Sequence, residues 1–492
     1  MRSWLHNGFK VGPNYCPPDA PVAEEWSLED QAILAGAGVQ DYAWWGVFDD
    51  AALNGLIETA YRQNLDLAAA VTRIMEARAR RGIAVGNLFP QSQTALATYA
   101  HGQISRNLGL PVPATVNFWA DGFNASWELD LWGRLRRNIE ASNANLNAAV
   151  EGYGNSLVVM LSEVATNYVQ LRTFEQRLMY ARENAATEAK SLEIVEVRRE
   201  FGTADELDVH QAKASLAQTR ATIPPLVAGR RMAANELCIL LGMPVTDLAE
   251  QLGPAPIPTA PSQVAVGIPA ELLTKRPDVR RAERQAAAAS AQIGIAKADL
   301  YPRLAVTGFL GYAAQDFNDL FDTHSLTAFV LPTLQWKILN YGRVVNNIRV
   351  QDAAFENAVL QYQQTVLTAG REVEDALVQF VQAKRQAKFL EQSVEESRQA
   401  LLIVQEQFKG GTADFNRVYT IQEQLVTQQD QLASVRGNIA MYLIQIYKAM
   451  GGGWEYFCQG TGLPEVEATG GMVEELPAAM EEDCEVGLAE PR

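Results

Sequence analysis

From Val150, steps of seven residues reach Leu157, Val164, Leu171, Leu178, Ala185 and Leu192. The same step from Val359 reaches Val366, Val373, Phe380, Ala387, Val394 and Leu401. An apolar period of seven sustained this long predicts coiled-coil helices rather than ordinary surface helices. The first is expected over Arg134–Glu200, 67 residues, roughly 100 Å of helix. Each helix runs into the same turn, GTAD, at Gly202–Asp205 and again at Gly411–Asp414. Glycine enters the left-handed backbone region cheaply and so ends a helix. Thr and Asp are expected to offer side-chain oxygens to the free N–H groups of a returning helix. Return helices are expected near Asp205–Leu241 and Asp414–Met450, with Pro224 and Pro225 kinking the first.

Ahead of each long helix the period drops to two. Phe123, Ala125, Trp127 and Leu129 share one face, and Asn124, Ser126, Glu128 and Asp130 the other. Leu304, Val306, Gly308, Leu310 and Tyr312 alternate in the same way, as do Leu326, Ala328, Val330, Leu334 and Trp336. With a weaker run from Gln91 to Gln103 this predicts four strands in two hairpins. A helix, Leu53–Asn87 or Ala270–Asp299, leads into each hairpin.

The two halves are copies. WELDLWGR, starting at Trp127, returns as WKILNYGR 209 residues later, and both the GTAD turns and the ends Leu241-Gly242 and Met450-Gly451 keep that shift. GIAVGNLFP at Gly82 returns as GIAKADLYP at a shift of 212. The expected organisation is an extended equatorial segment (1–52), a first repeat (53–242), a linker (243–269), a second repeat (270–451), a C-terminal equatorial segment (452–464) and an acidic tail (465–492). Four strands are too few for a barrel, whereas three chains would supply twelve. The competing arrangement, a sheet packed on its own helices, leaves the far ends of such long helices with nothing to pack on.

Composition narrows the classes. The chain has 492 residues, 48% hydrophobic and 20% charged, with a net charge of −17. That balance argues against a nucleic-acid binder. Nine acids and one base fall between Glu465 and Arg492, so the tail reads as disordered. Four cysteines (Cys16, Cys238, Cys458, Cys484) and four histidines (His6, His101, His210, His324) are scattered. No metal, redox or catalytic cluster is expected from them, and no cofactor. No apolar run approaches the ~18 residues of a spanning helix, which says nothing against a β-barrel. The N-terminus lacks the apolar core of a signal peptide, and a truncated start is the favoured explanation.

The order and spacing of several motifs carry a resemblance. They are KVGPNYCPPDAPV near the start, IPPL at Ile223–Leu226, KRPDVRRAE at Lys275–Glu283, ADLYPRL at Ala298–Leu304, the WGR/YGR pair, both GTAD turns, and YKAMGGGW at Tyr447–Trp454. Over about Gly12–Trp454 the chain resembles the TolC-type outer-membrane efflux family, most closely its lipoprotein-like, NodT-type factors of resistance–nodulation–division pumps. The resemblance implies an α+β membrane protein: a homotrimer with a 12-stranded transmembrane β-barrel, four strands per chain, above a long helical coiled-coil barrel crossing the periplasm. It also implies a passive exit duct in outer-membrane lipid, no catalysis, and two partners: a periplasmic adaptor and an inner-membrane pump.

Several residues become candidates on that basis. Gly202, Thr203, Gly411 and Thr412 would contact the adaptor, although any tight helix turn needs the same residues. Family members often place an Asp about two turns after the second tip. Thr420 stands there in this chain, so the expected gate is a polar Asn416/Thr420 ring with Glu423 as a negative collar. The competing reading of Glu423 is a solvated helix charge. Trp119, Trp127, Trp132 and Trp336 are candidates for a membrane-interface belt, or for core packing. Glu163 and Glu372, repeat-equivalent, are read as interhelical polar contacts. Cys16 follows the VGPNY-like segment, whereas the usual lipid-anchor position is Lys10, so no acylation of Cys16 is expected. Two other functions remain open: a cytosolic coiled-coil scaffold, and an outer-membrane duct for type I protein secretion.

Overall fold

A computed structural model describes residues 8–23, 26–27, 34–35, 43–103, 105, 107, 115–261, 264–265 and 275–460. The acidic tail, residues 270–274 and much of 1–52 lie outside the described residues, as does the side chain of Cys458. The main elements are α1 (Ala51–Gln63), α2 (Leu65–Gly86), β1 (Ser92–Gln103), β2 (Thr115–Leu129), α3 (Arg134–Glu200), α4 (Glu206–Leu240), α5 (Pro277–Ala298), β3 (Arg303–Ala314), β4 (Leu326–Gln335), α6 (Arg343–Lys409), α7 (Phe415–Ala449) and α8 (Trp454–Gly460). The long helices α3 and α6 have 67 residues each, and the return helices α4 and α7 have 35 each. The duplication is therefore kept to the residue through both hairpins. Eleven of the fourteen heptad positions are buried and the other three are half-buried, so the seven-residue period marks the helix seams as expected.

One expectation needs correcting. The single helix Leu53–Asn87 is broken at Asn64, whose backbone is extended and whose Oδ1 accepts from the Leu67 N–H at 2.9 Å. The signal was present: Asn-Leu-Asp before an apolar run is an N-cap pattern. The helix α4 continues through Pro224 and Pro225. Both prolines are exposed, so water can serve the two carbonyls that lose amide partners, and the helix need not end there.

The helices α4, α3, α7 and α6 lie side by side in that order, while α2 packs on α3, and α5 lies against both α3 and α6. The end of α4 meets the start of α2: Asn64 Nδ2 donates to Leu240 O at 2.8 Å. At the equivalent junction Arg276 Nη1 donates to Ala449 O at 2.7 Å, joining the end of α7 to the start of α5. Each junction uses a buried polar side chain to satisfy a carbonyl at a helix terminus that the helix itself cannot. Arg276 also reaches Asp278 and Glu372, both through Nη2, at 2.7 and 2.8 Å. Glu372 is thus an interhelical contact, and Arg276 is the cationic donor that it shares with Asp278. The main core surrounds this level, with Trp44 stacked on Tyr447, and Leu157, Leu161, Tyr168, Leu237, Phe380 and Leu443 fully buried.

The four strands form one antiparallel sheet in the order β1-β2-β3-β4. The two repeats join at its centre, where β2 pairs β3 with Trp127 opposite Val306. Among the described residues, both outer edges, on β1 and β4, are unpaired. Below the sheet the N-terminal segment crosses the start of α3. Val11 N–H donates to Trp132 O at 3.0 Å, and Arg137 donates to Val11 O, Gly12 O and the Asn14 side chain. Cys16 on this strap is exposed.

The two junctions differ in the charge they hold. Replacing Asn64 by Ala should cost about 1–2 kcal/mol, a cap plus a stranded carbonyl. Arg276→Met should cost more, about 2–3 kcal/mol, because charge-assisted bonds are lost as well. Denaturation midpoints of the detergent-solubilised protein test that order.

Candidate functional site

The two tips are built alike. The Thr203 N–H bonds back to Arg198 O at 2.8 Å and the Gly202 N–H to Arg199 O at 2.9 Å. The same pair recurs as Thr412 to Gln407 O at 2.9 Å and Gly411 to Phe408 O at 3.0 Å. This is the 6→1 helix stop that a left-handed residue allows, and Gly202 and Gly411 have φ of 69° and 75°. Asp205 and Asp414 cap the return helices, accepting from Glu206 N–H at 2.6 Å and Arg417 N–H at 3.0 Å. Thr does not share in that capping as expected. Its hydroxyl donates backward, to Arg198 O in the first tip and Gln407 O in the second. Gly202, Thr203, Gly411 and Thr412 are all exposed. The tips touch through Arg198, whose Nη1 donates to Phe408 O at 2.5 Å while its guanidinium lies 4.5 Å from the Phe408 ring centre.

Above the tips, Asn416, Thr420 and Glu423 lie exposed on α7, three and four residues apart and so on one helix face. Thr420 Oγ1 is turned into its own helix, donating to Asn416 O at 2.9 Å. Beside Glu423 on the same helix, burial and then the Glu423 charge raise the Tyr419 pKa. Behind it lies Glu188 of α3, buried and within the electrostatic reach of Glu423.

The seam between α3 and α7 changes character along its length. Near the tips it is apolar, with Val195, Phe415, Val418 and Leu425 in one cluster that α6 joins through Val404. Higher up it is polar. Asn184 Nδ2 donates to Gln429 Oε1 at 2.9 Å, and Arg177 binds both oxygens of Asp430, at 2.7 and 2.9 Å. Sequence reasoning passed over these residues, yet a signal existed: Arg177, Asn184, Ser191 and Arg198 follow each other at steps of seven, the same period as the apolar seam.

In the sheet, Trp127 Nε1 donates to Leu88 O and Trp336 Nε1 to Leu300 O, each at 3.0 Å. These are equivalent bonds in the two repeats, and both indoles remain exposed. Trp119 lies on the same β2 face as Trp127, between Tyr99 at 4.2 Å and Phe317 at 5.0 Å. Trp132, half-buried like Trp119, is stacked on Tyr301 and bonded to Pro302 O. It packs the joint between sheet and stalk. The face of β2 carrying Phe123, Ala125 and Trp127 is exposed, whereas Asn124, Ser126 and Glu128 opposite are half-buried. No helix among the described residues is long and apolar enough to cross a membrane. Nor do these residues contain a group of three or more His, Cys, Asp or Glu side chains placed to hold a metal.

A sheet with its apolar face outward, set on a duplicated pair of very long helical hairpins, matches a known family. The family profile for outer membrane efflux proteins fits residues 56–243 and 268–452, more than half of the chain. The chain belongs to the outer membrane efflux protein family. Nodulation protein T of Rhizobium leguminosarum bv. trifolii is 28% identical over 92% of this chain and 96% of its own length. Outer membrane protein OprJ of Pseudomonas aeruginosa is 28% identical over 90% of this chain and 93% of itself. The solved outer-membrane channel OprN superposes with a TM-score of 0.86 at 31% identity, covering 90% of this chain and 99% of that one. The protein is an outer-membrane efflux channel extending into the periplasm, which sets aside the cytosolic scaffold.

Neither tip glycine could carry a side chain without backbone strain, although the space beside Gly202 is open. Gly202→Ala and Gly411→Ala should each destabilise by about 1 kcal/mol, and Asn at either position by less. Equal penalties at the two tips in denaturant unfolding would show that backbone conformation, not local packing, selects glycine there.

Proposed function

We propose that three copies of this chain close their sheets into one 12-stranded barrel and their hairpins into one hollow stalk. The stalk then passively conducts solutes delivered by an inner-membrane pump through a periplasmic adaptor. The observation that carries this reading is the open sheet. One face is mostly apolar, with Asp121 its exception between Trp119 and Trp127 on β2, its two edge strands β1 and β4 lack partners among the described residues, and an unpaired edge cannot remain in hydrocarbon. Trp119 and Trp127 bracket nine residues of β2, the length that spans the apolar layer in a tilted strand. Trp119, Trp127 and Trp336 serve in this reading as interface aromatics.

The stalk offers matching faces for a neighbouring copy. On the side of α6 away from α7, Leu360, Leu367, Val378, Phe389 and Ile403 are exposed at intervals of 7, 11, 11 and 14 residues, which keep them on one face. On α4, Ala214, Ala221, Pro225 and Ala228 are exposed along one face. Large side chains on one helix against small ones on the other suit knobs-into-holes packing between copies. Gly202, Thr203, Gly411 and Thr412 then point into the periplasm as the adaptor-docking tips, while Asn416, Thr420 and Glu423 line the narrow end. Relatives of equal similarity are named for different cargoes, among them cation efflux, toluene efflux and pyoverdine export. The duct therefore leaves the choice of cargo to the pump, and a type I secretion role has no specific observation in its favour.

The purified protein should run as a trimer that needs detergent and dissociates on heating. A charge in the proposed contact stripe, Leu367→Glu together with Phe389→Glu, should convert it to monomers while helix content by circular dichroism is kept. A double variant that stays trimeric would refute the α6–α4 contact. In planar bilayers, Glu423→Ala should lower the preference for cations over anions; unchanged selectivity would remove the collar and leave Glu423 as a helix-surface charge.

A further inference from the structure

One carboxyl of the lower stalk has no part in the functions above. Glu188 of α3 is 3% exposed. From α4 the Thr219 hydroxyl donates to its Oε1 at 3.0 Å, and the Ser215 hydroxyl lies one turn earlier. Its Oε2 has no partner, and neither does the buried Nε2 of Gln422 on α7. The charged or titratable groups facing it from α7 are Glu423 and the Tyr419 hydroxyl. No cation is among the groups acting on it. Burial pushes its pKa up; the Thr219 and Ser215 hydroxyls pull it down, Glu423 adds to the rise, and the net direction is upward.

Its position gives this chemistry leverage. Here the first hairpin, α3 with α4, meets the return helix of the second. Toward the tip the seam is held by apolar contacts, and toward the sheet by the Arg177–Asp430 pair and the Asn184–Gln429 bond. Between them lies a layer with two unpaired polar atoms and two carboxyls. A buried, half-paired carboxylate facing another negative charge is costly to ionise, and a proton removes that cost.

We propose that Glu188 is a proton-held latch: while its carboxyl is neutral the two hairpins stay packed at the lower stalk, and its ionisation loosens the α3–α7 seam and opens the periplasmic end. The consequence for conduction rests on the duct reading; the latch itself is a property of the seam. Because the closed seam raises the carboxyl above its ordinary range, the stabilisation is complete below that range. It is lost as pH rises through the raised value, so acid keeps the end shut and mild alkali favours opening.

Single-trimer recordings in planar bilayers at pH 5 and pH 8 test this. The unsubstituted protein should be open at least about threefold more at pH 8 than at pH 5. In Glu188→Gln the ratio should fall to about one, with the open fraction held at its acid value; a variant that keeps the full ratio overturns the latch. A second measurement needs no substitution. In the purified trimer, amide exchange over 215–222 and 419–425, corrected for the intrinsic effect of pH, should lose protection between pH 5 and pH 8. Equal protection at both values also overturns the latch. Absence of current at any pH would end the duct reading, while the exchange comparison would still decide the role of Glu188.

Discussion

A backbone amide without a partner cannot stay in hydrocarbon, and that constraint organises this chain. Its single sheet pairs all four strands but leaves β1 and β4 open on their outer sides. A soluble protein would cover such edges with helices, loops or charges. Here the helices run away from the sheet, as two 67-residue rods, and cannot cover it. An outward apolar face and two open edges are an incomplete wall, which further copies of the chain complete in the proposed trimer.

Below the wall the chemistry shifts from lipid to water, and the packing shifts with it. The upper stalk is locked by a large apolar core and by two pseudo-symmetric junctions, Asn64 to Leu240 O and Arg276 to Ala449 O. The lower stalk has a smaller apolar cluster that runs from the tips up to Leu432, with two minor ones above it. Its middle seam uses hydrogen bonds and one bidentate ion pair, which hold one register but add little net stability when water can replace them. A duct that must stay assembled at one end and open at the other has reason to divide its packing in this way.

The duplication shows what each half was free to change. Backbone-determined features persist: the 6→1 helix stop, the left-handed glycine and the aspartate cap recur at a shift of 209. So do the indole bonds of Trp127 and Trp336. Side-chain chemistry has diverged around them. Phe201 and Leu207 stand exposed beside the first tip, where the second has Gly410 and Asn416. Glu423 on α7 corresponds to Ala214 on α4, and buried Glu188 to Ser397. The acidic layer therefore exists once per chain, at the junction between hairpins rather than within either one.

What the sequence by itself determined was local. The ends of α3 follow from Gly-Arg and GTAD signals within a few residues, the seams from a seven-residue period, and the sheet faces from alternation. The tip glycines were legible for the same reason, because their conformation is set by neighbours in the chain. Tertiary structure decided the rest. Whether Trp132 faces outward depended on Tyr301 and Pro302, which lie some 170 residues away. It also decided which residue completes the acidic layer. Glu188, Thr219 and Glu423 come from three helices, and no spacing along one strand of sequence announces that they will share a site, since burial and proximity arise only when the hairpins pack.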